Sequence, residues 1–187
     1  MKEELEISKT IVLVGLMGAG KTIIGQKLAT RLNIDFVDAD NEIEEAAGCS
    51  ISEIFTRYGE ASFREGEKRV ISRLLLGPAH VLGTGGGAFM DGETRLEISK
   101  SAISLWLKAD LETLLQRVAR RNHRPLLKNV NKRETLKRLM KERHPFYAKA
   151  DIIVNSGRTS PDITVDDAII ELKNFTSNSK HYTPGAI

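Results

Sequence analysis

Residues Gly15-Leu16-Met17-Gly18-Ala19-Gly20-Lys21-Thr22 fit the pattern G-x-x-x-x-G-K-[ST], a spacing whose chemistry is the cradling of a polyphosphate. The glycines let backbone N–H groups curl around phosphate oxygens, and a helix N-terminus directly behind them adds a favourable dipole. Lys21 can neutralise β- and γ-oxygens, while the Thr22 hydroxyl can hold Mg²⁺. ATP with magnesium is therefore the expected ligand, on Gly18, Ala19, Gly20, Lys21 and Thr22. Such a loop leaves the reaction open, because switches, motors and small-molecule kinases share it. A chain of 187 residues has no room for the extra domains of a motor, and it carries no N-K-x-D guanine-reading pattern. A small metabolite or nucleotide kinase is favoured.

Three further groups could serve an acceptor. Asp38-Ala39-Asp40 follows the short apolar run Phe36–Val37, where strand ends open into the ligand crevice of a doubly wound sheet. In an extended segment the two carboxylates point the same way, one toward magnesium and one toward an acceptor hydroxyl. The plainer alternative is a helix N-terminus dressed with acids. Arg64 and Glu67 stand one helical turn apart, so the glutamate can hold the guanidinium, which suits a carboxylate ligand; a surface ion pair is the bland reading. Gly85-Gly86-Gly87 can bring bare N–H groups against a ligand or can form only a supple turn.

These residues need elements to position them. Thr10–Val14 is a β-branched and apolar run stopping at Gly15, and Ile24, Leu28 and Leu32 follow at helical spacing. Further short apolar runs lie at Phe36–Val37, His80–Leu82, Ala102–Leu107 and Ile152–Val154. Between them, Ser50-x-x-Glu53 is a capping box for a helix that Gly59 would close, and helical spacing resumes at Phe63, Val70, Ile71 and Leu74. Asp110 reads as an N-cap ahead of Leu111, Leu114 and Val118; Asn131-x-x-Glu134 opens a helix carrying Leu136 and Leu139; Ser160-Pro161 opens a terminal helix. Short apolar strands alternating with helix-length segments predict a doubly wound α/β domain with a parallel sheet covered on both faces. Thr176–Ile187 is polar without an apolar period and reads as a frayed tail.

Charge separates two zones. From Leu32 to Thr56 there are seven acids and no Lys or Arg, whereas Arg117–Arg143 holds eleven Lys or Arg against Glu134 and Glu142. The basic zone needs an anionic partner or a solvated face. A nucleic-acid module is the rival from another class, and the lack of aromatic interleaving speaks against it. The single cysteine, Cys49, excludes a disulfide framework and a cysteine zinc cage and suits a reducing cytosol. No apolar run reaches membrane-spanning length, and Met1–Lys9 is charged rather than leader-like. A cytoplasmic monomer without membrane or nucleic-acid partners is expected.

Taken together, Gly15–Thr22, Asp38-x-Asp40, Phe63-Arg64-x-x-Glu67, Thr84-Gly85-Gly86-Gly87, Arg124-Pro125-Leu126-Leu127 and Arg143-x-Pro145-x-Tyr147 resemble the motifs of the shikimate kinases, in that family's order, across about Thr10 to Leu172. The resemblance implies a P-loop fold of the nucleoside-monophosphate-kinase type, three layers α/β/α around a five-stranded parallel sheet, with a small helical substrate-binding segment and a lid. In residue numbers it implies one domain with a core over 10–173, the substrate segment over 41–68, the lid over 117–132 and a disordered tail over 175–187. The implied reaction moves the ATP γ-phosphoryl group to the 3-hydroxyl of shikimate, a step toward chorismate and the aromatic amino acids. Carried over by position, Lys21 resembles the γ-phosphate lysine, Thr22 and Asp38 the magnesium pair, and Asp40 the residue bonded to the acceptor hydroxyl. Arg64 and Arg143 resemble the carboxylate clamp, with the backbone of Gly85, Gly86 and Gly87 beside the ring. Arg124 resembles the lid arginine on the transferring phosphate, Arg117 the one stacking on adenine, and Arg158 lies in the loop resembling the other side of the adenine site. Ile23 departs from the pattern, since many relatives carry Ser or Thr there.

Overall fold

The computed structural model describes residues 7–119, 131–157 and 160–180. Five apolar runs become strands β1 (Thr10–Val14), β2 (Phe36–Asp38), β3 (Val81–Gly83), β4 (Ala102–Lys108) and β5 (Ile152–Asn155). They form one sheet in the order β2-β3-β1-β4-β5, parallel at every pairing. All five residues of β1 are buried, as are the first six of β4. Since successive side chains point to opposite faces, both faces of the central strands must be covered. The cover comes from α1 (Lys21–Leu32), α2 (Ala39–Ala47), α3 (Ile51–Leu75), α4 (Gly92–Ser101), α5 (Leu111–Ala119), α6 (Lys132–Tyr147) and α7 (Pro161–Lys180), with a 3₁₀ turn at Ala88–Met90. The five-stranded, three-layer α/β/α expectation is met.

Helix starts follow the local chemistry. Ser50 and Glu53 form a reciprocal capping box on α3, Asn131 accepts from the Arg133 and Glu134 N–H groups, and Asp110 accepts from Thr113 at 2.8 Å. Exposed ion pairs Lys27–Asp162 at 2.8 Å and Arg31–Asp166 at 2.7 Å join α1 to α7. A second, smaller apolar cluster of Ile43, Ile54, Phe63 and Val70 fills the space between α2 and α3, with Cys49 packed against it. Trp106 is part of the main core.

Three expectations need correction. Asp38-Ala39-Asp40 is not extended: Asp38 ends β2 and its side chain N-caps α2, which puts Asp40 in that helix's first turn. Gly59 interrupts α3 with non-helical angles, φ 80° and ψ 173°, but the chain re-enters helix at once rather than ending there. Of the expected lid over 117–132, α5 holds 117–119 and α6 begins at Lys132, while residues 120–130 lie outside the described residues. Finally, α7 continues to Lys180, its apolar stripe prolonged by Phe175, which packs against the core; residues 181–187 lie outside the described residues.

Within the described part of the basic zone, three cations on α6 form a solvated, ion-paired face. Arg133 pairs with Glu112 at 2.7 Å, Arg138 with Glu142 at 2.9 Å and Lys137 with Glu134 at 3.4 Å, all exposed. Pairs of this kind contribute only about 0–1 kcal/mol each, so they serve solubility more than stability.

Candidate active site

Five of the segments with candidate chemistry leave the C-terminal ends of the parallel strands, where the crevice of an open α/β sheet lies, whereas Arg64 and Glu67 stand on α3 and Arg143 on α6. The phosphate loop follows β1, Asp38 closes β2, the glycine loop follows β3, Asp110 follows β4 and Ser156 follows β5. A cavity of about 510 Å³ results, within the roughly 300–1,000 Å³ usual for small-molecule sites. Its lining joins Lys21, Thr22, Asp38, Asp40 and Gly86 at one end to Gln116 and Arg117 at the other.

At the phosphate end, Gly20 is the N-cap of α1 in a left-handed conformation, φ 99°, which an L side chain rarely adopts. The Lys21 ammonium donates to the Gly15 and Leu16 carbonyls at 2.7 and 3.1 Å, which keeps it folded over the loop. The Thr22 hydroxyl donates to Asp38 Oδ2 at 3.3 Å, while Asp38 Oδ1 accepts from the Asp40 N–H at 3.1 Å. One carboxylate thus caps a helix and faces Thr22 at once, so the structural and functional readings of Asp38 coexist. Two hard oxygen donors side by side fit Mg²⁺, whose remaining ligands usually come from phosphate and water. Among the described residues no cluster of three or more His, Cys, Asp or Glu could hold a metal by itself.

Beside the lining residues Asp40, Gly85 and Gly86 stands a guanidinium–carboxylate cluster. Arg64 Nη1 donates to Glu67 at 2.6 Å, and its Nη2 donates to Glu60 at 3.1 Å. The Phe63 ring lies 5.0 Å from the guanidinium. Glu67 is only 3% exposed, and its Oε1 has no hydrogen-bond partner among the described residues. Burial pushes the Glu67 carboxyl above the ordinary carboxylate range, and the Arg64 charge opposes that rise. The glycine loop runs between these groups. A Cβ on Gly85 would sit 2.7 Å from Glu67 Oε1 and 3.2 Å from Asp40 Oδ1, and one on Gly87 would sit 2.5 Å from Arg64 Nη1. Arg143, on α6, donates to the Gly86 carbonyl at 2.9 Å.

The close approach at Gly87 makes a prediction. Gly87 has φ −98°, so alanine is allowed by the backbone, and what must move is the far end of Arg64. Gly87→Ala is expected to leave the melting temperature nearly unchanged and to weaken binding of a carboxylate acceptor by about 10-fold or more, the scale of a lost charge-assisted hydrogen bond. Titration calorimetry with shikimate would check it, and unaltered affinity would remove the Arg64–Gly87 contact from the site.

A family model described as shikimate kinase matches residues 17–173. This chain belongs to the shikimate kinase family. A shikimate kinase of Paramagnetospirillum magneticum is 59% identical over 159 residues, which cover 85% of this chain and 82% of that one. The shikimate kinase of Caulobacter vibrioides strain NA1000 / CB15N is 51% identical over 166 residues, covering 89% and 83%. Among solved structures, the shikimate kinase from Acinetobacter baumannii in complex with shikimate superposes with a TM-score of 0.84 at 37% identity, covering 90% of this chain and 96% of that one.

Within this shikimate kinase fold, Arg117 is engaged with the chain itself. Its guanidinium donates to the Ser156 hydroxyl at 2.8 Å, to the Gly157 carbonyl at 2.5 Å, and to the Gly18 and Ala19 carbonyls at 3.3 and 3.2 Å. Burial pulls the Arg117 pKa below its usual value. Ser156, fully buried, also donates to the Ala19 carbonyl at 2.7 Å. Arg117 and Ser156 together brace the phosphate loop against the loop after β5. Reading by residue type passed over Ser156, although its place directly after a strand was a usable signal. Gln116 was passed over too, on the turn that carries Arg117 into the cavity. Arg124 and Arg158 lie outside the described residues.

Proposed function

We propose that this chain transfers the γ-phosphoryl group of ATP to the 3-hydroxyl of shikimate, giving shikimate 3-phosphate and ADP on the route to chorismate. The observation that carries the reading is one cavity with a phosphate loop at one end and, beside it, a glycine loop bracketed by Arg64, Glu67, Asp40 and Arg143. That bracket presents two guanidinium groups for a carboxylate and one carboxylate for a hydroxyl, which is the functional-group set of shikimate. The solved relative that holds shikimate shares 37% of its sequence with this chain.

In this reading Lys21 and the N–H groups of Gly18, Ala19 and Gly20 bind the β- and γ-phosphates, and Arg117 with the loop containing Arg158 flanks the adenine. Thr22 and Asp38 would hold Mg²⁺, which supplies charge neutralisation on the phosphates when bound. Arg64 and Arg143 fix the shikimate carboxylate, with Gly85, Gly86 and Gly87 beside the ring. Asp40 accepts a hydrogen bond from the attacking hydroxyl and orients it. In a loose transition state the hydroxyl loses its proton late, so Asp40 accepts the proton afterward and need not be a strong base. Arg124 neutralises charge on the transferring group, and the segment 117–132 closes over the nucleotide. The α2–α3 region, residues 41–68, is the acceptor-binding segment.

The reading extends to a cytoplasmic monomer, in keeping with a single cysteine; no described helix is long and apolar enough to cross a membrane. A coupled ADP-release assay with ATP and Mg²⁺ tests the proposal, comparing shikimate, quinate, gluconate and no acceptor. Release that depends on shikimate is expected. Release with a different acceptor alone would overturn the assignment of Arg64 and Arg143, and silence with every acceptor would overturn the reaction.

A further inference from the structure

Arg143 and Tyr147 are four residues apart on α6 and therefore share one helix face. Both reach the same atom: the Tyr147 hydroxyl and Arg143 Nη1 each donate to the carbonyl oxygen of Gly86. We propose that Tyr147 is a positioning residue of the acceptor site, holding the Gly86 carbonyl so that Arg143 can turn to an incoming carboxylate without leaving that carbonyl unpaired. The proposal rests on the shikimate-phosphorylating reading given above and deepens it.

A carbonyl oxygen has two lone pairs, and here both donors come from one helix. When Arg143 leaves for a ligand, this partly buried carbonyl, with no second donor, would lose its pairing, at a cost that would be subtracted from binding. Tyr147 removes that cost. It also sets the loop: a trans peptide is planar, so fixing the Gly86 carbonyl on the α6 side turns the Gly87 N–H to the opposite side of the loop. Gly87 is the residue packed against the Arg64 guanidinium. The same loop is wedged against the phosphate loop, since a Cβ on Gly86 would sit 3.4 Å from the Gly15 carbonyl oxygen. Tyr147 is fully buried, its ring centroid 5.8 Å from that of Trp106 and 6.4 Å from that of His144. Burial pushes its hydroxyl up to about 12, so it stays a donor throughout the neutral range.

Tyr147→Phe removes the hydroxyl and keeps the ring. In the ADP-release assay the variant is expected to show a shikimate KM raised about 5- to 20-fold, with kcat and the ATP KM within about two-fold of wild type. Because both residues act on one carbonyl, Tyr147→Phe added to Arg143→Lys should raise the shikimate KM by less than the product of the single effects. An unchanged shikimate KM, strictly multiplicative effects, or a parallel loss in kcat and both KM values would overturn the proposal. A Phe variant that does not fold would also overturn it, by assigning the hydroxyl to the fold rather than the site. A wild-type chain that ignores shikimate would instead overturn the reading beneath it.

Discussion

Replacing Arg124 with alanine is expected to keep ATP affinity within a few-fold and to lower turnover by about 10³-fold or more, as removal of an arginine from a transferring phosphate does elsewhere. The structure sharpens the reason. Among the described residues lining the cavity, Lys21 and Arg117 are the cationic ones, and Arg117 is engaged with four oxygens of the chain itself. Lys21, itself held on the Gly15 and Leu16 carbonyls, is the cation beside the phosphate loop, whereas phosphoryl transfer spreads charge over three equatorial oxygens and over the leaving group. A further cation is required, and Arg124 is the residue the family resemblance places there. In the proposed role its interaction would strengthen as the bond to the leaving group breaks, so its loss would fall on kcat rather than on binding. Single-turnover kinetics together with nucleotide binding would separate the two, and a variant turning over at the wild-type rate would remove Arg124 from the mechanism.

Lys21→Met should reduce turnover by about 10²–10³-fold, the usual scale for deleting one preorganised charge donor. Unlike the arginine variant, it is expected to weaken ATP as well. The ammonium touches the Gly15 and Leu16 carbonyls at 2.7 and 3.1 Å, so methionine would take the charge from the phosphates and also release the fold of the loop over its own backbone. Lys21→Arg should not rescue, since a planar fork cannot replace a compact ammonium in that position. Steady-state kinetics with ATP varied would check both variants; wild-type turnover in Lys21→Met would contradict the phosphate-loop assignment.

Helix and strand positions were legible wherever the local pattern was strong. The five strands were visible as apolar runs, and the starts of α3, α5 and α6 were visible in Ser50, Asp110 and Asn131, because capping is settled within four residues. α4 was not visible. Its buried residues are only Thr94 and Ile98, and Leu96 is exposed, so no apolar period marks it; the one local signal was Asp91, whose side chain accepts from the Thr94 N–H. The start of α2 was legible only as the alternative of a helix N-terminus dressed with acids, because this short helix in an acidic run has just Ala39 and Ile43 as its buried positions. The end of α7 is not legible in the polar stretch from Thr176, because a single residue, Phe175, carries the last apolar turn.

The sequence by itself determined the phosphate loop and the Arg64–Glu67 pair, since each is a contiguous motif whose geometry follows from one turn or one helix. Tertiary structure decided what those motifs meet. Thr22 reaches Asp38 across 16 residues, Arg117 reaches Ser156 across 39, and Arg143 and Tyr147 reach Gly86 across 57 and 61. None of these meetings has a local signature, because each depends on the strand order β2-β3-β1-β4-β5 bringing separate strand ends to one crevice. The same packing turned Arg117 inward onto backbone carbonyls and left Glu67 buried, beside the glycine loop, with an oxygen that has no hydrogen-bond partner among the described residues. Residue type and spacing can propose such groups, but burial and distance give them their charge state and their partners.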